Sequence, residues 1–116
     1  MKTLLKSLVV SVFSLSIIAC SSNTPKCSDN RTKELVIDVA KELFLNAGLG
    51  EMVDNVDFKI ENVRTIEYQK DIDKYTCKAD FIIKNKENNQ SKSIPITYSV
   101  QKTDDGDKFY VEVYGL

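Results

Sequence analysis

Two groups of acidic residues in this sequence have a spacing that could support chemistry. Residues 104–107 (Asp-Asp-Gly-Asp) place three carboxylates around a glycine, and carboxylate oxygens are the ligands that Ca²⁺ prefers. The spacing is not that of an EF-hand, and Asp-Gly between two alternating runs is typical of a β-hairpin turn. A second group, in which an acid–base pair for glycoside hydrolysis could occur, is Glu61, Glu67, Asp71 and Asp73. Nothing in the pattern marks any of them as buried, so we interpret both groups as turn and surface residues.

Several residue types and motifs that catalytic sites need are missing. The 116 residues include no His and no Trp, which excludes His-based triads and His-ligated metal sites. The sequence also has no glycine-rich phosphate loop and no G-x-S-x-G nucleophile motif. The 16 basic and 17 acidic residues give a net charge of -1, which argues against nucleic-acid binding. We therefore expect a protein that is not an enzyme and has no metal and no cofactor.

The amino-terminal segment has the features of an export signal. A basic start precedes an apolar run too short to span a membrane, and residues 17–20 follow with the sequence Ile-Ile-Ala-Cys. This ending resembles the lipobox of bacterial lipoproteins. The resemblance implies a signal peptide over residues 1–19, cleavage before Cys20, and attachment of diacylglycerol and fatty-acyl chains such as palmitate at Cys20. The alternative is an ordinary secretory signal with an incidental cysteine.

Lipid attachment would place the protein at the cell envelope. Ser21 stands where an aspartate would favour retention at the inner membrane, so the resemblance implies the outer membrane if the host is Gram-negative. Residues 20–28 are polar, and we expect them to form a lipid-anchored tether. Residues 29–116 then form a single domain, since there is no room for a second one.

The chain has three cysteines, Cys20, Cys27 and Cys77. If lipid occupies Cys20, two remain, and export to an oxidising compartment favours a disulfide between Cys27 and Cys77. The alternative, a metal or redox pair, lacks C-x-x-C spacing and further ligands. The disulfide would close a loop of about 50 residues, for which chain entropy gives a stabilisation of ~4 kcal/mol.

The hydrophobic periodicity predicts one helix. Apolar residues between Leu35 and Ala47 follow helical spacing, and residues 28–30 (Ser-Asp-Asn) offer candidate N-caps. Gly48 and Gly50 supply the stop.

After Gly50 the period becomes two, which predicts four strands joined by turn-like segments. The alternating runs begin at Val56, Tyr75, Ile94 and Phe109. The first run continues to Ile66 and Tyr68 with the same parity. We expect an α+β fold in which the helix packs on one face of a four-stranded antiparallel meander and the other face is wet. This element order is similar to that of the cystatin-like and NTF2-like folds, which implies no activity.

Arg64 and Asn62 interrupt the apolar alternation of the first strand. In one interpretation, Arg64 lines a ligand pocket between the helix and the sheet, where it would need a partner carboxylate. In the other, a bulge in the strand turns both side chains to solvent.

Tyr110 and Tyr114 fall on the wet side of the last strand, where tyrosines can form a binding platform. Tyr is also frequent in strands for reasons unrelated to binding. Together with the expected lipid anchor, the two tyrosines favour a non-enzymatic envelope lipoprotein that binds another envelope protein. One alternative is a small-ligand-binding domain with a pocket at Arg64. Another is an exclusion or inhibitor lipoprotein carried on a mobile element, because the chain resembles small lipoproteins of which some are carried in this way.

Overall fold

A computed structural model describes residues 23–106 and 108–116. The predicted signal peptide and Cys20 lie outside the described residues. The elements are α1 (Asn30–Asn46), α2 (Gly50–Asp54), β1 (Val56–Gln69), β2 (Lys74–Asn85), β3 (Ser91–Lys102) and β4 (Phe109–Tyr114). The strands form one antiparallel sheet in the order β1-β2-β3-β4, which confirms the predicted α+β meander.

The helix α1 begins and ends where its capping residues allow. The Asp29 side chain accepts a hydrogen bond from the backbone N–H of Arg31 at 2.9 Å, and is therefore the N-cap. After the last turn, Gly48 adopts a φ of +82°, a conformation that L side chains rarely adopt. Gly50 does not serve as part of the stop, because it begins the short helix α2.

The core lies between α1 and the sheet face that we call the inner face. Val36 and Ala40 of α1 are fully buried, and they belong to the same cluster as Ala79 and Phe81 of β2. Cys77 lies on this face too, as its parity in β2 predicts.

The strand β1 departs from simple alternation at two places. Its register against β2 shifts between Glu61 and Arg64 and again between Thr65 and Glu67. Asn62, in the first bulge, has a φ of +55°. The second bulge leaves Ile66 without a partner residue and 53% exposed, so the prediction that Ile66 continues the inward parity is wrong. Tyr68 lies opposite Tyr75 but is 45% exposed.

Residues 23–28, which we call the strap, lie against the sheet before α1 begins. Thr24 is only 3% exposed. Its backbone N–H donates to Asp73 Oδ2 at 2.8 Å, and its Oγ1 accepts from the backbone N–H of Lys102 at 3.0 Å. The described part of the segment expected as a tether is therefore packed on the domain.

The strap is also joined to the inner face covalently. The predicted disulfide between Cys27 and Cys77 is present, with the two Cα atoms 5.8 Å apart. The buried Tyr98 hydroxyl donates to the Cys27 carbonyl at 2.8 Å, and Thr32 Oγ1 donates to the Lys26 carbonyl at 2.9 Å. Burial raises the pKa of Tyr98 to about 12, so its hydroxyl keeps the proton that this hydrogen bond needs.

Candidate binding face

The candidate site is the sheet face opposite α1 and the strap, which we call the outer face. In the part of the sheet where β4 pairs with β3, the strand register places the outer side chains in three rows. Each row crosses all four strands. The first row consists of Arg64, Lys78, Thr97 and Tyr114. The second row consists of Glu67, Thr76, Ser99 and Glu112. The third row consists of Gln69, Lys74, Gln101 and Tyr110.

Small hydroxyl residues form the centre of this face. Ser99 lies between Thr76 and Glu112 in the second row, and Thr97 occupies the corresponding position in the first. Larger neighbours leave Ser99 only 6% exposed. Sequence reasoning missed these residues, although their place on the polar parity of β2 and β3 could have revealed them.

Tyr110 and Tyr114 border the hydroxyl centre on the β4 side. Their side chains are 44% and 55% exposed, as expected for the wet side of this strand. They lie four positions apart along the strand, or about 13 Å. The Tyr110 hydroxyl donates to Gln101 Oε1 at 2.8 Å, which fixes the orientation of the ring. Burial, followed by the nearby Glu112 and Asp104 carboxylates, raises the pKa of Tyr110, so the phenol stays neutral.

Arg64 lies on the outer face, opposite Lys78 and in the same row as Tyr114. It is exposed, on the side of the sheet away from α1. The pocket interpretation is therefore wrong for this residue, and the bulge interpretation describes its position. The neighbouring Asn62 donates its amide to Asp80 Oδ2 at 2.7 Å, and is exposed as well.

The charges of the outer face alternate between rows. Arg64 and Lys78 supply cations in the first row, and Glu67 and Glu112 supply carboxylates at the two ends of the second. Lys74 adds a cation in the third row. A surface with mixed charges around neutral hydroxyls and phenols is better suited to a polar, patterned partner than to a uniformly anionic one.

Two of the acidic residues considered in the sequence analysis accept hydrogen bonds that hold turns and the strap in place. In the turn after β3, Thr103 Oγ1 donates to Asp105 Oδ1 at 2.6 Å. Asp73 Oδ1 accepts from the Tyr68 hydroxyl at 2.8 Å, while Oδ2 binds the strap. Among the described residues, no group of three or more Cys, Asp or Glu side chains is placed to hold a metal ion.

A hollow of about 360 Å³ lies beside the strap and the start of α1. It is lined by Asn23, Thr24, Pro25, Lys26, Ser28, Asp29 and Arg31. It is remote from the outer face, since the strap covers the opposite side of the sheet.

No protein-family model matches the chain, and neither a curated protein nor a solved structure matches it. Within residues 23–106 and 108–116, neither helix is long and apolar enough to cross a membrane.

Proposed function

We propose that the protein is a non-enzymatic lipoprotein, anchored to the cell envelope through Cys20, whose outer face binds another envelope protein. The anchor rests on the lipobox-like sequence at residues 17–20. An anchored domain and its partner share one thin layer, so that even a weak contact is populated through a raised effective concentration.

The observation that carries the binding proposal is the arrangement of the outer face, in which half-exposed tyrosines border a centre of small hydroxyl residues. Thr97 and Ser99 form that centre. Tyr110 and Tyr114 beside it are half-exposed, and large amphipathic rings of this type often dominate the binding energy at protein interfaces.

The shape of the outer face favours a protein over a small molecule. Small ligands bind in concave, mostly apolar cavities that bury most of their surface. The outer face is a sheet surface with polar and charged side chains, and the one hollow described above lies elsewhere. A macromolecular partner can contact all three rows at once, which a small ligand cannot.

The anchor is tested by metabolic labelling with a fatty-acid analogue. We expect label on the wild-type protein and none on Cys20→Ser. Equal label on both proteins would contradict lipidation at this residue.

The binding face is tested in intact cells with a photo-crosslinking amino acid at Tyr114. The matched control carries the same amino acid at Lys84, an exposed residue of β2 near the opposite end of the outer face. We expect a discrete crosslinked protein from position 114 and none from position 84.

The double variant Tyr110→Ser with Tyr114→Ser should lose the partner in co-purification, whereas Lys59→Ser with Lys84→Ser should keep it. A partner retained at full occupancy by the tyrosine variant would show that the face is wrong.

A further inference from the structure

We infer that the end of the domain formed by the turns at residues 70–73 and 103–108 rests on the surface of the lipid bilayer, with Ile66, Tyr68 and Ile72 in contact with it. We call this end the hairpin end. The inference depends on the lipid anchor proposed above, and it adds the surface by which the folded domain meets the membrane.

The position of the strap determines which end of the domain lies nearest to the anchor. Thr24 is held by Asp73, in the turn after β1, and by the backbone of Lys102, at the end of β3. Both contacts belong to the hairpin end. Cys20 precedes Thr24 by only four residues, which span at most ~14 Å when fully extended. Acyl chains on Cys20 therefore keep the hairpin end within about this distance of the bilayer.

Three of the exposed large apolar residues lie at the same end, whereas others, such as Leu43 and Leu45, lie near the end of α1. Ile66 is 53% exposed and Ile72, in the turn itself, is 42% exposed. Tyr68 is 45% exposed and stacks on Tyr75 with the ring centroids 4.4 Å apart. The Tyr68 hydroxyl also binds Asp73, the residue that holds the strap. The apolar patch and the point where the chain leaves toward Cys20 are thus joined through one carboxylate.

The bilayer is the occupant that fits this patch. It is the apolar phase that the anchor places beside the patch, and a ring with a polar hydroxyl such as Tyr68 suits the boundary between headgroups and acyl chains. Charge does not drive the contact, because segments 69–74 and 103–108 together hold five acidic residues and three lysines. We therefore expect the contact to depend on apolar area and to be insensitive to anionic lipid and to salt.

The absence of tryptophan from the chain allows a direct test. The full-length gene carrying Ile72→Trp is expressed, and the processed protein is purified from membranes and reconstituted into phosphatidylcholine vesicles. The control variant is Asn88→Trp, in the exposed turn after β2 at the opposite end of the sheet. For Ile72→Trp we expect a blue shift of emission and loss of intensity with brominated lipid. Neither phosphatidylserine nor high salt should change this result. For Asn88→Trp we expect emission typical of water and no quenching.

Each other outcome overturns the inference. Emission typical of water from both variants would place the hairpin end away from the bilayer. A blue shift that depends on protein concentration and persists in detergent without vesicles would assign the patch to a second copy of the chain. Intact mass of the same sample separates this inference from the anchor. If the protein carries acyl chains but its emission is not quenched, only the membrane contact is contradicted. If the protein carries no acyl chains, the proposed anchor is contradicted as well.

Discussion

The helix α1 and the strap cover neighbouring halves of the inner face with different interactions. Between α1 and the sheet, Phe44 of α1 stacks on Phe58 with the ring centroids 5.9 Å apart. Phe58 stacks in turn on Phe81, with the ring centroids 5.3 Å apart. Beneath the strap, closure relies on the disulfide and on directional hydrogen bonds from Thr24 and Tyr98.

The difference follows from the length and composition of the two segments. A helix of 17 residues presents a continuous apolar stripe, so burial is the main force that holds it on the sheet. The six residues of the strap cannot bury comparable apolar area, and their backbone polar groups must be paired where they meet the sheet. The strap therefore depends on bonds of defined geometry, each of which one substitution can remove.

The largest effect is expected from Phe81→Ala, which tests the helix-covered half. Phe81 is fully buried and contacts both other phenylalanine rings, so its removal leaves a cavity that the sheet cannot easily close. We expect the free energy of unfolding to fall by about 3–5 kcal/mol, measured by urea denaturation. A loss well below this range would contradict apolar packing as the main source of stability in this half.

The double substitution Cys27→Ala with Cys77→Ala tests the strap-covered half. It releases a constraint between residues separated by 50 positions, and we expect a loss of about 2–5 kcal/mol in the same measurement. Proteolysis at the strap should accelerate more than proteolysis at α1. Equal unfolding midpoints for the oxidised and reduced wild-type protein would show that the covalent link is dispensable.

A smaller effect is expected from Tyr98→Phe. This change keeps the ring in the core but leaves the buried Cys27 carbonyl without the hydroxyl that donates to it. The expected loss is about 1–3 kcal/mol, because a buried acceptor loses its partner. Tyr75→Phe, in the neighbouring strand, serves as the control and should change stability less. A similar loss in both variants would remove the special role of the Tyr98 hydrogen bond.

The smallest effect concerns pH. Burial raises the pKa of Asp73, but the hydrogen bonds from Thr24 and Tyr68, together with the Lys102 ammonium, outweigh it and hold the pKa below its ordinary value of 3.8. The unfolded state thus takes up the proton at higher pH than the folded state. The stabilisation from Asp73 is complete well above pH 3.8 and is lost as the pH falls through the lower folded value.

Asp73→Asn should therefore reduce the dependence of stability on pH below about pH 4, near the ordinary carboxyl pKa of 3.8. Unfolding by urea at a series of pH values measures it, with Asp71→Asn in the same turn as the matched control. If Asp73→Asn retains the full acid sensitivity of the wild type, the carboxylate does not hold the strap in the way described.

Most of the fold could be predicted because its signals are local and strong. The stripe of α1, the stop at Gly48 and the alternation in β2 to β4 each depend on neighbouring residues only. The disulfide was predictable from cysteine parity, and the outward position of Tyr110 and Tyr114 from alternation in β4.

The missed features depend on contacts between distant residues or on short segments. Because of the bulges in β1, Val63 packs against the core whereas Ile66 does not. Only the pairing of β1 with β2 determines where these register shifts occur. The strap is polar in sequence, yet Thr24 is buried because Asp73 and Lys102, far along the chain, satisfy its polar atoms. The five residues of α2 are too few to establish a helical period.

The two bulges of β1 also affect how copies of the protein behave when crowded together. β1 is an edge strand of 14 residues, and a straight edge of that length would present a row of backbone groups on which another chain could aggregate. The shifts after Glu61 and after Thr65 break this row into short pieces. Exposed charges at Lys59 and Glu67 further oppose the approach of a second strand. The β1 edge therefore opposes edge-to-edge pairing of copies at high local density.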